Sequence, residues 1–198
     1  MIYENARKGI GKVFVGEVLQ IIAAFCTILT LIPIMGPMIG GLASGVVGII
    51  GVIIMLVGLG QSGKDSPQLK KAFIFVILTL IAGFIIGGLA SFIRVSWIIQ
   101  FEQIVSTVLM LIVTYNVLYG CAGLNPDLTD KANSTWKFYM IVVVLDIVLT
   151  VISIIFTIVG VAAGAFVVTI ILVLLDLILD LIAYFKYLGF LKAAKDSL

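Results

Sequence analysis

Residues 38–59 read MIGGLASGVVGIIGVIIMLVGL and residues 72–93 read AFIFVILTLIAGFIIGGLASFI, two 22-residue stretches without a single charge. An α-helix rises 1.5 Å per residue, so about 20 apolar residues cross a hydrocarbon core ~30 Å thick. Each stretch therefore predicts a membrane-spanning helix. The segment between them, residues 60–71, reads GQSGKDSPQLKK and carries Lys64, Lys70 and Lys71, so the chain reverses there outside the bilayer.

Working outward, the same alternation gives six spans, over residues 13–32, 38–59, 72–93, 97–119, 138–159 and 165–184. The whole chain, residues 1–198, is read as one polytopic membrane domain with an all-α fold. Its bulk chemistry agrees: 63% hydrophobic, 11% charged and 20 glycines in 198 residues, with a mean hydropathy of +1.33. Soluble domains carry roughly 25% charged residues. The net charge of +2 is far below what a nucleic-acid binder needs, so no nucleic-acid partner is expected. The first apolar run is longer than the roughly 7–15 residues of a signal-peptide core and no small-residue cleavage site follows, so the first helix is expected to remain.

Placing the segments before the first span, after the second, after the fourth and after the sixth on one side gathers 11 of the 12 basic residues there, leaving Arg94 alone opposite. Lys and Arg in short loops collect in the cytoplasm, so both termini are expected inside a cell (cytoplasmic) membrane. The three consecutive hairpins also resemble one another internally. Lys12 to Gly60, Lys71 to Gly120 and Lys137 to Gly189 span 48, 49 and 52 positions, each beginning with a basic–aromatic step and ending in glycine. A helical hairpin repeated three times in parallel orientation accounts for this.

Small residues mark expected packing faces. Gly40, Ser44 and Gly48 recur at four-residue spacing in the second span, with Gly41 and Gly45 beside them, and the third span carries Gly83 and Gly87. Hydrocarbon exerts no hydrophobic force between helices, so small side chains that admit close backbone approach are the usual means of association. The same stripes also suit a homo-oligomer or a membrane-protein partner.

Polar residues form a different pattern. Asp146, Thr150 and Ser153 share a face of the fifth span; Asp176 and Asp180 share one of the sixth; Glu17 and Gln20 lie in the first, and Thr107 and Thr114 in the fourth. A polar seam between helices 1, 4, 5 and 6 follows. Counting from Lys137 and Lys186, Asp146 and Asp176 lie level, roughly 14 Å inside the inner boundary. Glu17 and Asp180 form a shallower layer within reach of Lys12 and Lys186, a position that also suits interfacial residues. Unpaired carboxyl groups at such depth are costly and mark ion or solute pathways. The seam is thus a candidate site for a proton, a monovalent cation or a small polar solute, with a cavity opening to the cytoplasm.

Other chemistry is excluded more directly. The chain has no histidine and two cysteines, Cys26 and Cys121, which lie at different depths and read as small apolar side chains. No metal site, no cofactor and no catalytic residues are expected, and the protein is read as a non-enzyme. Residues 58–65, GLGQSGKD, approach a phosphate-binding loop but end in Asp65 where Ser or Thr must hold magnesium. They also leave a membrane helix rather than a strand, so no nucleotide is expected. Two roles remain: a small transporter or solute-binding membrane subunit using the seam, or a non-catalytic subunit, scaffold or immunity-type protein acting by helix–helix contact.

Overall fold

The computed structural model describes residues 3–28, 36–93, 96–159 and 165–198. Among them are six α-helices and no strand: α1 Glu4–Ile28, α2 Gly36–Ser62, α3 Pro67–Ile93, α4 Ser96–Leu124, α5 Thr129–Val159 and α6 Ala165–Ser197. Five of these, α1 to α5, are long and apolar enough to cross a membrane.

The helices outrun the apolar stretches at the basic end. α1 begins at Glu4, α3 at Pro67, α5 at Thr129, and α6 continues to Ser197, because loss of hydrophobicity does not stop a helix whose first turn is capped. Asp65, in the α2–α3 reversal, supplies one such cap. Its Oδ2 accepts the Ala6 backbone N–H at 2.7 Å, satisfying an orphan donor at the start of α1, and its Oδ1 accepts from the side chain of Asn5, Nδ2, at 3.1 Å. The Ser66–Pro67 step starts α3, with proline at a position whose missing N–H costs nothing. Asn125 does the equivalent work in the α4–α5 reversal: its Oδ1 accepts from Asp127 N at 3.1 Å and its Nδ2 reaches the Ser197 carbonyl at 3.3 Å. The start of α1, the end of α6 and both described reversals therefore lie together and form the loop end of the bundle.

Consecutive helices pack side by side and α6 returns to α1, closing a ring of six. The closest approach is between α1 and α2. A Cβ added at Gly9 would lie 2.5 Å from the Gly58 carbonyl oxygen, and one at Gly16 would lie 2.7 Å from that of Gly51. Gly9 and Gly16 are two turns apart, as are Gly51 and Gly58, so the two backbones touch along one seven-residue stripe.

The small residues expected to form packing faces are divided within this chain. A Cβ at Gly41, Gly45 or Gly87 would meet nothing within 4 Å, while Gly48 makes ordinary contact with Ala23 and Gly83 faces the Glu102 carboxyl at 3.4 Å. Gly40 is buried, and the Ser44 hydroxyl donates to the carbonyl of Gly41 on its own helix. The physical reason lies in α1, whose small residues select the stripe of α2 they meet. Spacing within α2 alone carries no such information.

Buried apolar side chains concentrate at the loop end, where Ile10, Leu59, Leu69, Val117, Leu118, Phe190 and Leu191 are fully enclosed. Farther along, the outward faces are apolar on every helix: Phe25, Ile53, Phe84, Phe101, Ile141 and Phe185 are all exposed, Phe84 by 84%. Water does not tolerate contiguous apolar surface of this kind, and lipid does. A ring of long helices with an apolar exterior is the build of a multi-pass membrane protein. Cys26 and Cys121 are free thiols.

Candidate solute-binding cavity

Just beyond the packed loop end the ring leaves a cavity of about 280 Å³. Its polar wall is Glu17 and Gln20 from α1, Thr79 from α3 and Tyr184 from α6; Val52, Met55, Val76, Leu80 and Met110 supply the apolar wall. Each lining residue lies farther from the loop end along its helix than the enclosed residues Ile10, Leu59, Leu69, Val117 and Phe190. The cavity expected to open toward the basic loops is therefore closed on that side. Those five apolar side chains interdigitate where the helices converge.

Glu17 is the centre of the arrangement. It is only 6% exposed, and the Tyr184 hydroxyl donates to its Oε2 and lies 2.9 Å from its backbone carbonyl. Among the described residues no basic side chain pairs with it, and its Oε1 has no partner. Glu17 and Lys12 do not pair. Five residues on a helix turn about 140° away from one another, so Lys12 faces α2, where its Nζ donates to Gln61 Oε1 at 2.7 Å, while Glu17 faces the interior. The remaining polar lining is committed in part. Gln20 Nε2 donates to the Gly48 carbonyl at 2.8 Å, and the Thr79 hydroxyl donates to the Phe75 carbonyl at 2.9 Å.

The rest of the seam is divided. Asp146 is half-buried and accepts from the Thr107 hydroxyl at 3.4 Å across the α4–α5 contact. Seven residues along the same contact Tyr139 is hydrogen-bonded to Thr114. Thr150 is half-buried one turn beyond Asp146, and Asp180 is exposed on α6. The side chains of Asp176 and Ser153 lie outside the described residues, so the level pairing of Asp146 with Asp176 does too, as does Arg94. Glu102 accepts from Ser106 at 2.9 Å and faces α3. Asp146 does not line the cavity; Glu17 does.

Sequence reasoning passed over Tyr184 and Thr79. Tyr184 sits four residues after Asp180 on the stripe already marked by Asp176 and Asp180, so helical spacing carried its signal. Thr79 and the apolar wall carried none. No three His, Cys, Asp or Glu side chains converge among the described residues. The chain matches no family model, no curated protein and no solved structure, so its chemistry is read from its own residues.

Proposed function

We propose that this protein is a small transporter or solute-binding membrane subunit that holds a small solute inside the helix ring, within the membrane. The observation that carries the proposal is Glu17, a deeply buried carboxyl group that lines a 280 Å³ cavity and has one oxygen without a hydrogen-bond partner among the described residues. A mostly apolar pocket with a few convergent polar groups is where membrane and soluble proteins alike place their ligands. In this proposal the loop end is cytoplasmic, following the basic residues, and the three hairpins descend from one repeated unit. Nothing in the chemistry calls for catalysis: the chain has no histidine, and the protein acts by binding.

The test is the thermal midpoint of the purified protein against a panel of small solutes, beside Met110→Trp, which fills the cavity from α4. A solute present at 100 times its Kd stabilises the folded state by about 2.7 kcal/mol. Stabilisation of the wild type that vanishes in Met110→Trp supports the proposal. No response from any solute, with both proteins alike, removes it.

A second reading has its own observation. Gly41 and Gly45 are exposed, and a Cβ on either would meet nothing within the ring, which leaves a flat face on α2 for a helix of another membrane protein. Gly45→Leu would leave the isolated protein unchanged and abolish copurification of such a partner from native membranes.

A further inference from the structure

We propose that the cavity takes a compact organic monocation, an ammonium group on an apolar body; this rests on the solute-binding role given above and names its ligand class. Charge is decided first. Among the described residues Glu17 is the one acidic or basic side chain on the wall, and its neighbour Tyr184 is neutral, so a positive ligand finds a counter-ion there and a negative one meets repulsion.

Hydrogen-bonding direction agrees. The Tyr184 hydroxyl is spent on Glu17, the Thr79 hydroxyl on the Phe75 carbonyl, and one Gln20 N–H on the Gly48 carbonyl. Among the described lining residues what remains is chiefly acceptor capacity, led by Glu17 Oε1, which has no partner among them. The ligand must bring the donors or the charge, as an ammonium does.

The apolar wall then excludes a bare ion. Sodium or potassium needs a shell of five or six oxygens, whereas Val52, Met55, Val76 and Met110 present hydrocarbon and thioether. Those surfaces gain from an apolar body, and methionine adapts its shape to one. Room for about nine waters at ~30 Å³ apiece sets the size at roughly ten non-hydrogen atoms. The route is consistent with the class, since the packed layer at the loop end leaves access from the far half of the bundle or from lipid, where an amphiphilic amine concentrates.

The experiment compares benzylammonium, benzyl alcohol and benzoate, which share a phenyl ring and differ in charge, and adds Na⁺ and K⁺. Each is titrated against the full chain in detergent, reading the thermal midpoint. Benzylammonium is expected to stabilise the wild type saturably with an affinity at least tenfold above benzyl alcohol, with no response to benzoate, Na⁺ or K⁺. In Glu17→Gln the tenfold preference should disappear while benzyl alcohol binds as before. Should that variant not fold, the wild-type ranking alone decides, and Tyr184→Phe, which keeps the carboxyl, must retain the preference. Equal binding of benzylammonium and benzyl alcohol to the wild type overturns the cation class and leaves solute binding standing. No response to any of the three aromatic probes overturns the ammonium class, and the broader solute panel beside Met110→Trp decides solute binding separately.

Discussion

At the scale of single residues, two carboxyl groups in this chain have opposite duties. Asp65 sits half-buried at the loop end and ties the start of α1 to the α2–α3 reversal through two hydrogen bonds. Its replacement by alanine removes an N-terminal cap, so Asp65→Ala should lower stability by about 0.5–2 kcal/mol, measured by unfolding in mixed micelles, with Asp65→Asn costing less because one acceptor survives. The near-match to a phosphate loop in residues 58–65 thus acquires a structural explanation for its one discordant position. Glu17 is the reverse case, a carboxyl held inside by a single side-chain donor. Tyr184→Phe leaves it unsatisfied, and the expected loss is about 1–3 kcal/mol in the same unfolding assay. How much of this was legible differs between the two. Helical spacing brought Glu17 and Gln20 into one polar seam from sequence alone. Which way Glu17 turned depended on a tyrosine 167 residues away, beyond the reach of any local pattern.

At the scale of elements, the bundle was legible because a membrane leaves few alternatives: a run of about 20 apolar residues has to satisfy its backbone internally, as a helix. The ends were less so. Hydropathy marks where lipid stops, whereas α5 and α6 continue through residues 129–137 and 185–197, sustained by caps and by contacts at the loop end such as Lys186 over the Phe138 ring. Helix pairing depends on both partners, so the seven-residue stripe of Gly9, Gly16, Gly51 and Gly58 was invisible to a search of four-residue repeats within α2. It makes a sharp prediction. Gly16→Ala or Gly58→Ala forces backbones apart and should cost about 1–3 kcal/mol, whereas Gly45→Leu should change the stability of the isolated protein by less than about 0.5 kcal/mol. Thermal unfolding of the three variants side by side distinguishes the internal seam from the outward face.

At the scale of the whole molecule, the ring is tight at one end and holds a cavity beyond it. Sequence reading named Glu17 and Gln20 of its polar wall and missed the rest, because a cavity is a place where packing stops. Val52, Met55, Val76 and Leu80 look like any other apolar residues in α2 and α3 until the ring is closed. The loop end collects the start of α1 and the end of α6, so Lys64→Cys and Ser197→Cys, each in a background lacking Cys26 and Cys121, should be labelled by an impermeant maleimide from the same face of sealed vesicles. With the basic residues cytoplasmic, that face is the inner one, and labelling occurs in inverted vesicles alone.

The pairing of the first helix with the last has a consequence for how the protein is made. A ribosome releases α1 long before it releases α6; at roughly 5–20 residues per second, the 167 residues between Glu17 and Tyr184 take about 10–30 s to emerge. Throughout that interval a nascent α1 carries its carboxyl group into the bilayer without the phenol that will later hold it. Chains that stop before residue 165 never receive it, and an orphaned acidic group in lipid is a distinguishing mark by which membrane quality-control proteases can sort unfinished copies from finished ones.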